Sequence, residues 1–222
     1  MRKAIFAAAI AGVAGTASAD IIISEVVDAT LAGGNPKFVE LTNTGNTDYT
    51  FGAAGGIIVQ SNANTDLDID VDLSGVVIPA GASYVIQSSS NDGQNVFETT
   101  YGFAADLYTA AFFSNGDDRY IVTDGAILDI HGEIDTDGTG TAWEYTDGYA
   151  YRLPDYISGQ GSSFDINQWF HSGVNGLETG DDVTELALIL ANTTPGTHNF
   201  VPAPASAALL GLGGLVAARR RR

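Results

Sequence analysis

The sequence predicts an all-β fold, two packed antiparallel sheets, with a short targeting segment at each end. Three observations carry this expectation. From Asp20 to Phe200, short apolar runs alternate with clusters of Gly, Thr, Asn, Asp and Ser, the pattern of many short strands joined by turns. No sustained helical period runs through that stretch. Outside it, each end joins an apolar stretch to basic residues.

Taken in chain order, Ile21 to Val27 is a strand rich in β-branched residues. Lys37 to Leu41 alternates polar and apolar residues and breaks at Asn43-Thr44-Gly45, and Gly56 to Gln60 forms a third run. Asp68 to Leu73 alternates with period two, which predicts a strand with aspartates on one face and Ile69, Val71 and Leu73 on the other. Ile78 to Gly81 is a turn that leads into a strand over Ser83 to Gln87. Tyr120 to Thr123 and Ala126 to Ile130 flank Asp124-Gly125, a pair suited to a tight hairpin. Gly148 to Leu153 is a strand stopped by Pro154, Trp169-Phe170 is expected to pack back on the core, and Leu186 to Leu190 fits a strand or a short helix. Two facing sheets are the way for such strands to bury their apolar faces.

Residues 1–19 have the order of a secretory signal peptide, with a helical apolar segment. Arg2 and Lys3 precede the apolar stretch Ala4 to Val13, and Ala17-Ser18-Ala19 supplies small residues for signal peptidase, which would leave Asp20 as the first mature residue. Residues 201–222 carry a second address. Val201-Pro202-Ala203-Pro204 is followed by the apolar Ala205 to Ala218 and by Arg219, Arg220, Arg221 and Arg222. The uncharged stretch from Val201 is 18 residues, near the lower limit for a helix crossing a bilayer, and the arginines would stay on the cytoplasmic side. This tail resembles the PEP-CTERM sorting signal of Gram-negative bacteria, a Pro motif, a hydrophobic helix and an Arg cluster, with Ala203 in place of the name-giving Glu. The resemblance implies processing by an exosortase, a membrane association before processing, and an exopolysaccharide or envelope setting. A simple tail anchor is the plainer alternative.

The chain between these ends is strongly acidic. Lys37, Arg119 and Arg152 face all 27 acidic residues, a net charge of −24 for residues 20–200. Such a field repels phosphate backbones and excludes nucleic acid as a partner. It suits solvation in salty water. There is no cysteine, so the 181-residue body (20–200) must hold itself together through its core and polar contacts.

Of the chemical candidates, an acidic loop is the strongest. Glu133-x-Asp135-x-Asp137-Gly138, five residues, then Glu144 follows the spacing of a twelve-residue calcium loop, with oxygen ligands at alternating positions and a closing Glu. Against it stand Glu rather than Asp at the first position and no evident flanking helices. Asp66, Asp68, Asp70 and Asp72 lie about 6 to 7 Å apart along a strand, which favours a solvated face over a shared ion. His131, His171 and His198 show no metal-ligand spacing. No nucleophile elbow, phosphate loop, dinucleotide fingerprint or zinc-protease motif occurs, so no catalytic residue is assigned. Tyr145, Tyr149, Tyr151, Tyr156, Trp143 and Trp169 are read as packing rather than as a sugar platform. Glu25 and Glu40, acids inside strand patterns, are read as sheet-edge or turn-bonding groups.

The body also resembles a bacterial lamin tail domain. The resemblance rests on Ile23-Ser24-Glu25-Val26, Phe38 to Gly45, Leu73-Ser74-Gly75, Ile78 to Ile86, Asn115 to Asp118, Asp129 to Ile134 before Trp143, and Thr194 to Asn199. It implies an immunoglobulin-like antiparallel β-sandwich; the sequence departs from the family pattern at Ser61 to Asp70, which reads as an inserted loop or an extended hairpin. The function expected from these readings is a non-enzymatic, exported cell-surface or matrix protein. Alternatives are a calcium-dependent carbohydrate-binding module and a secreted hydrolase.

Overall fold

A computed structural model describes residues 20–112 and 115–200, so the signal-peptide expectation for residues 1–19, Ala19 included, and the sorting-signal expectation for residues 201–222 lie outside the described residues. The element order is β1 (Ile21–Leu31), β2 (Asn35–Asn43), β3 (Tyr49–Thr50), β4 (Gly55–Gln60), β5 (Val71–Asp72), β6 (Val77–Ile78), β7 (Ser83–Ser88), α1 (Gly93–Tyr101), β8 (Leu107–Thr109), β9 (Arg119–Asp124), β10 (Ile127–His131), β11 (Tyr149–Arg152), β12 (Trp169–His171) and α2 (Asp182–Asn192). A six-stranded sheet runs β12-β11-β1-β2-β7-β8, a four-stranded sheet runs β10-β9-β4-β5, and β3 pairs with β6.

The main core lies between the two larger sheets. Ile21, Ile23 and Val26 of β1, Val39 and Leu41 of β2, Ile86 of β7 and Ala150 of β11 meet Ile57 and Val59 of β4 and Tyr120 and Val122 of β9. The molecule is thus mostly β and sandwich-like. The opposite face of the six-stranded sheet is covered too. Val27, Ala29, Phe38, Val85 and Tyr149 pack there with Phe97 of α1 and Ile189 of α2. This explains why β1 reads as a nearly continuous apolar run: a strand buried on both faces has no solvent side to alternate toward. Between Ile23 and Glu25 the register of β1 on β2 shifts, so Ile23 and Val26 share the inner face while Glu25 joins the outer one.

Three expectations are corrected. The sheets are not wholly antiparallel: β8 runs parallel to β7, because α1 intervenes as a crossover, which a two-residue turn cannot supply. Helices are present: α1 buries only Gly93 and Phe97, too few apolar positions to show a period in sequence. α2 resolves the ambiguous Leu186 to Leu190 run, since Asp181 caps it by accepting from the Thr184 amide at 3.0 Å. The strand expected over Asp68 to Leu73 shrinks to β5, and Leu67 and Ile69 are exposed. Asp70 turns back instead and accepts from the Val59 amide at 2.7 Å. The hairpin expectation holds. β9 and β10 pair antiparallel, and Gly125 takes the positive φ of 76° at the turn between them. Among the described residues, no helix is long and apolar enough to cross a membrane.

Candidate functional site

The residues expected to bind calcium sit in the segment joining β10 to β11, and three of their four carboxylates are engaged by other partners. Asp135 accepts from Gln60 Nε2 at 3.0 Å while its amide donates to Gln60 Oε1 at 2.9 Å. Asp137 accepts from the Thr139 amide and hydroxyl at 3.0 and 2.8 Å, bonds that hold its carboxyl below the usual range. Glu144 accepts from the Gly140 amide at 2.5 Å and the Thr146 hydroxyl at 3.0 Å. The Glu133 side chain is exposed and its carbonyl closes a turn with the Thr136 amide. Gly138 owes its identity to packing: a Cβ there would stand 2.3 Å from the Trp143 ring. Among the described residues, no three His, Cys, Asp or Glu side chains are grouped to hold a metal ion.

Most of the aromatic stretch behaves as core, although Tyr156 is exposed and Tyr151 is half-buried. Trp143, Tyr145 and Trp169 are buried, and they surround His131. That ring lies 5.2 Å from Tyr145 and 4.7 Å from Trp169, centroid to centroid. The histidines, unrelated by spacing, meet in space: His131 Nε2 is 3.2 Å from His171 Nε2. Burial pushes His131 well below the ordinary imidazole range and His171 down to about 4, so at neutral pH both are uncharged and share one N–H. They lie forty residues apart in the chain and on strands of different sheets, and no sequence signal links them.

The more informative groups are carboxylates buried against backbone amides. Asp129 accepts from the Ile23 amide at 2.7 Å and the Gln160 amide at 2.8 Å, and it pairs with Arg152. Both partners of that pair are fully buried, and the guanidinium lies 4.4 Å over the Trp169 ring. Asp28 accepts from the amides of Gly116 and Asp147 at 2.9 and 3.0 Å and pairs with Lys37. Glu185 of α2 accepts from the amides of Thr179 and Gly180 and from the Thr30 hydroxyl. Each carboxylate thereby ties a long connection to a strand or helix.

Glu25 and Glu40 form a different arrangement. They occupy opposed positions on β1 and β2, the two central strands, so they are not sheet-edge groups. The turn-bonding expectation holds: both oxygens of Glu25 lie 3.1 Å from the Thr194 amide, and Glu40 Oε2 accepts from the Gly196 amide at 2.6 Å. Glu40 Oε1 accepts from the Ser24 hydroxyl at 2.6 Å. Burial pushes Glu40 up to about 7; burial, then the neighbouring Glu40, lifts Glu25 well above the usual carboxylate range. A cleft of about 200 Å³ borders the pair, lined also by Tyr151, Pro154, Asn192 and His198. The signal in the sequence was the acid inside each strand pattern.

Among known proteins, the family model of the lamin tail domain matches residues 14–138. Searches of curated proteins and of solved structures find no significant match. The sequence resemblance extended to Asn199, whereas the family match stops at Gly138; β11, which lies beyond it, nevertheless pairs directly with β1, so the later segment completes the sheet the family match begins. The match covers more than half of the chain, and the chain belongs to the lamin tail domain family.

Proposed function

We propose that this chain is a non-enzymatic, exported cell-surface or extracellular-matrix protein whose sandwich serves as a durable spacer or interaction module. The observation that carries the reading is the use of its buried acids. Asp28, Asp129 and Glu185 each accept two backbone amides and one further side chain. Such saturated carboxylates hold loops; they lack a free oxygen to move protons for a substrate. They also suit a domain without cysteine, where polar ties take the place of covalent staples. Lamin tail domains, moreover, are a non-catalytic, immunoglobulin-like domain family.

The exported location rests on the two ends. Arg2, Lys3 and the Ala17-Ser18-Ala19 site support removal of residues 1–19 by signal peptidase. Val201, Pro202, Pro204 and the four terminal arginines support sorting of the body to the envelope through an exosortase-type enzyme, with exopolysaccharide or envelope components as neighbours. Mass spectrometry of the protein recovered from its native envelope tests this. The expected product begins at Asp20 and has lost the arginine cluster. Recovery of the intact 222-residue chain from the cytosolic fraction would overturn the reading.

A further inference from the structure

Asp28 and Lys37 stand directly opposite each other on β1 and β2, and Asp28 Oδ1 is the oxygen that meets the amine. Lys37 is the single lysine of residues 20–200. Its side chain is 17% exposed and that of Asp28 3%, so amine and carboxyl meet largely out of water. The other oxygen, Oδ2, is held by backbone: the amides of Gly116 and Asp147 both donate to it, at 2.9 and 3.0 Å. Gly116 comes this close because it lacks a side chain; a Cβ there would stand 2.2 Å from the Thr146 nitrogen. Asp147 donates from a φ of 54°, a left-handed conformation uncommon outside glycine. Two fixed N–H groups on one oxygen, with an amine against the other, form a cradle for the charge that develops when a carboxyl carbon is attacked.

We propose that Lys37 Nζ and Asp28 Cγ condense into an intramolecular amide bond that locks β1 to β2. The inference goes beyond the proposed function and stands wherever the chain resides. Of the three carboxylates that accept two backbone amides, only Asp28 meets a primary amine. Asp129 meets the Arg152 guanidinium, which stays protonated and is no nucleophile, and Glu185 meets the Thr30 hydroxyl.

The step balances within the site. One proton passes from Nζ to Oδ1, which turns the ion pair into a neutral amine and acid and removes two charges from a poorly solvating interior. The Nζ lone pair then forms the new bond to Cγ, and the carbonyl electrons move onto Oδ2, where the Gly116 and Asp147 amides stabilise them. A second proton leaves the nitrogen for the Oδ1 hydroxyl, the Cγ–Oδ1 bond breaks, and one water departs. The ammonium thus supplies both protons, and no oxidant, reductant or co-reactant enters. Asp147 is the acid placed to carry the second proton. Burial, then the Asp28 charge, holds its carboxyl above the ordinary range, and with Lys37 it lines a cleft of about 330 Å³ that gives the water a way out. Oδ2 becomes the carbonyl of the new amide and keeps both backbone bonds, so the ties to Gly116 and Asp147 survive the reaction.

Mass spectrometry of the purified full-length chain, denatured in acid, provides the test. The wild type is expected to weigh one water, about 18 Da, less than the sequence with the same termini. Trypsin should fail to cut after Lys37, and fragment ions should be missing between residues 28 and 37. Lys37→Arg keeps the positive charge but presents no acylable amine, and should restore the full mass. Asp147→Asn, which leaves the backbone amide in place, should slow the loss of water in newly made chain at least about tenfold. A wild-type chain of full mass that trypsin cuts after Lys37 would overturn the proposal. So would a loss of water that persists in Lys37→Arg, because an aspartate closing on its own backbone sheds the same mass. Should Lys37→Arg not fold, the trypsin and fragment-ion results of the wild type decide alone. Conversion of Asp147→Asn at the wild-type rate would overturn the proton path through Asp147.

Discussion

Asp129 and the Glu25–Glu40 pair perform the same mechanical task with opposite electrostatics. Both bury carboxylates against backbone amides that come from distant parts of the chain: Asp129 joins Ile23 to Gln160, and the glutamates join β1 and β2 to Thr194 and Gly196. At Asp129, burial raises the carboxyl while Arg152 pulls it back. At Glu25, burial raises the carboxyl and the neighbouring Glu40 pushes it in the same direction. One tie carries its own counter-charge and the other depends on protons from solvent. The difference teaches that burial alone does not decide whether a polar tie is permanent; the sign of its nearest neighbour does.

The largest expected effect comes from breaking the compensated tie. Asp129→Ala strands the fully buried Arg152 guanidinium and orphans two amides. Loss of one partner of a buried pair costs about 3–5 kcal/mol, to be read from the urea midpoint at pH 6. A loss under about 1 kcal/mol would show that Arg152 reaches water and that the tie is not the buried one described.

The second effect separates the two ties by pH. Between pH 5 and 8 the Glu40 carboxyl, pushed up to about 7 from an ordinary 4.5, should cost the wild type up to about 3 kcal/mol relative to a variant with Gln at 25 and 40, whereas His131, His171 and His198, held neutral by burial, raise the stability of both proteins over the same range. Changing both Glu25 and Glu40 to Gln should therefore leave a curve that rises more steeply with pH than that of the wild type. Asp118, which burial pushes up to about 6, adds a contribution of the same sign as Glu40 that both proteins share and that cancels in their difference. Denaturation midpoints measured across this range check both the sign and its assignment. A difference between wild type and double variant that stays constant with pH, or that changes with the opposite sign, would refute the comparison.

A smaller effect comes from a carboxylate tie that is solvent-exposed. Asp181 caps α2 through the Thr184 amide and hydroxyl, and Asp181→Ala should cost about 1 kcal/mol. Thermal unfolding would register this as a modest drop in Tm with no change in pH profile between 5 and 8. An effect as large as that of Asp129→Ala would mean that burial adds little to these ties.

Much of the sandwich was legible because it rests on local pattern. β1, β2, β4, β7 and the β9–β10 hairpin announce themselves through β-branched runs and turn residues. The helices were harder for separate reasons. In α1 only Phe97 and Tyr101 mark the apolar side of a polar stretch, and in α2 the apolar residues run almost all the way round, so period gives no answer and the cap at Asp181 does. The ties were not legible. Ile23 and Asp129 are 106 residues apart, and an aspartate at the middle of a strand pattern looks the same whether it meets solvent or an amide across the sandwich. Glu25 and Glu40 were visible as anomalies, but their opposed placement depends on a register shift in β1 that the sequence does not display.

The 133–144 loop gives the smallest expected effect, and it sharpens the comparison from the exposed side. Calcium requires about six to eight oxygens converging at 2.3–2.6 Å. Here Asp135 is occupied with Gln60, Asp137 with Thr139 and Glu144 with Gly140 and Thr146, so the acids brace separate turns. Millimolar calcium should therefore leave Tm unchanged, and Glu144→Ala should cost under about 1 kcal/mol, the scale of ordinary hydrogen bonds, with or without the ion. A calcium-dependent rise in Tm that vanishes in Glu144→Ala would require the loop to rearrange around the ion. It would then be a third kind of tie, in which a bound cation supplies what Arg152 supplies to Asp129 and what protons supply to Glu25 and Glu40.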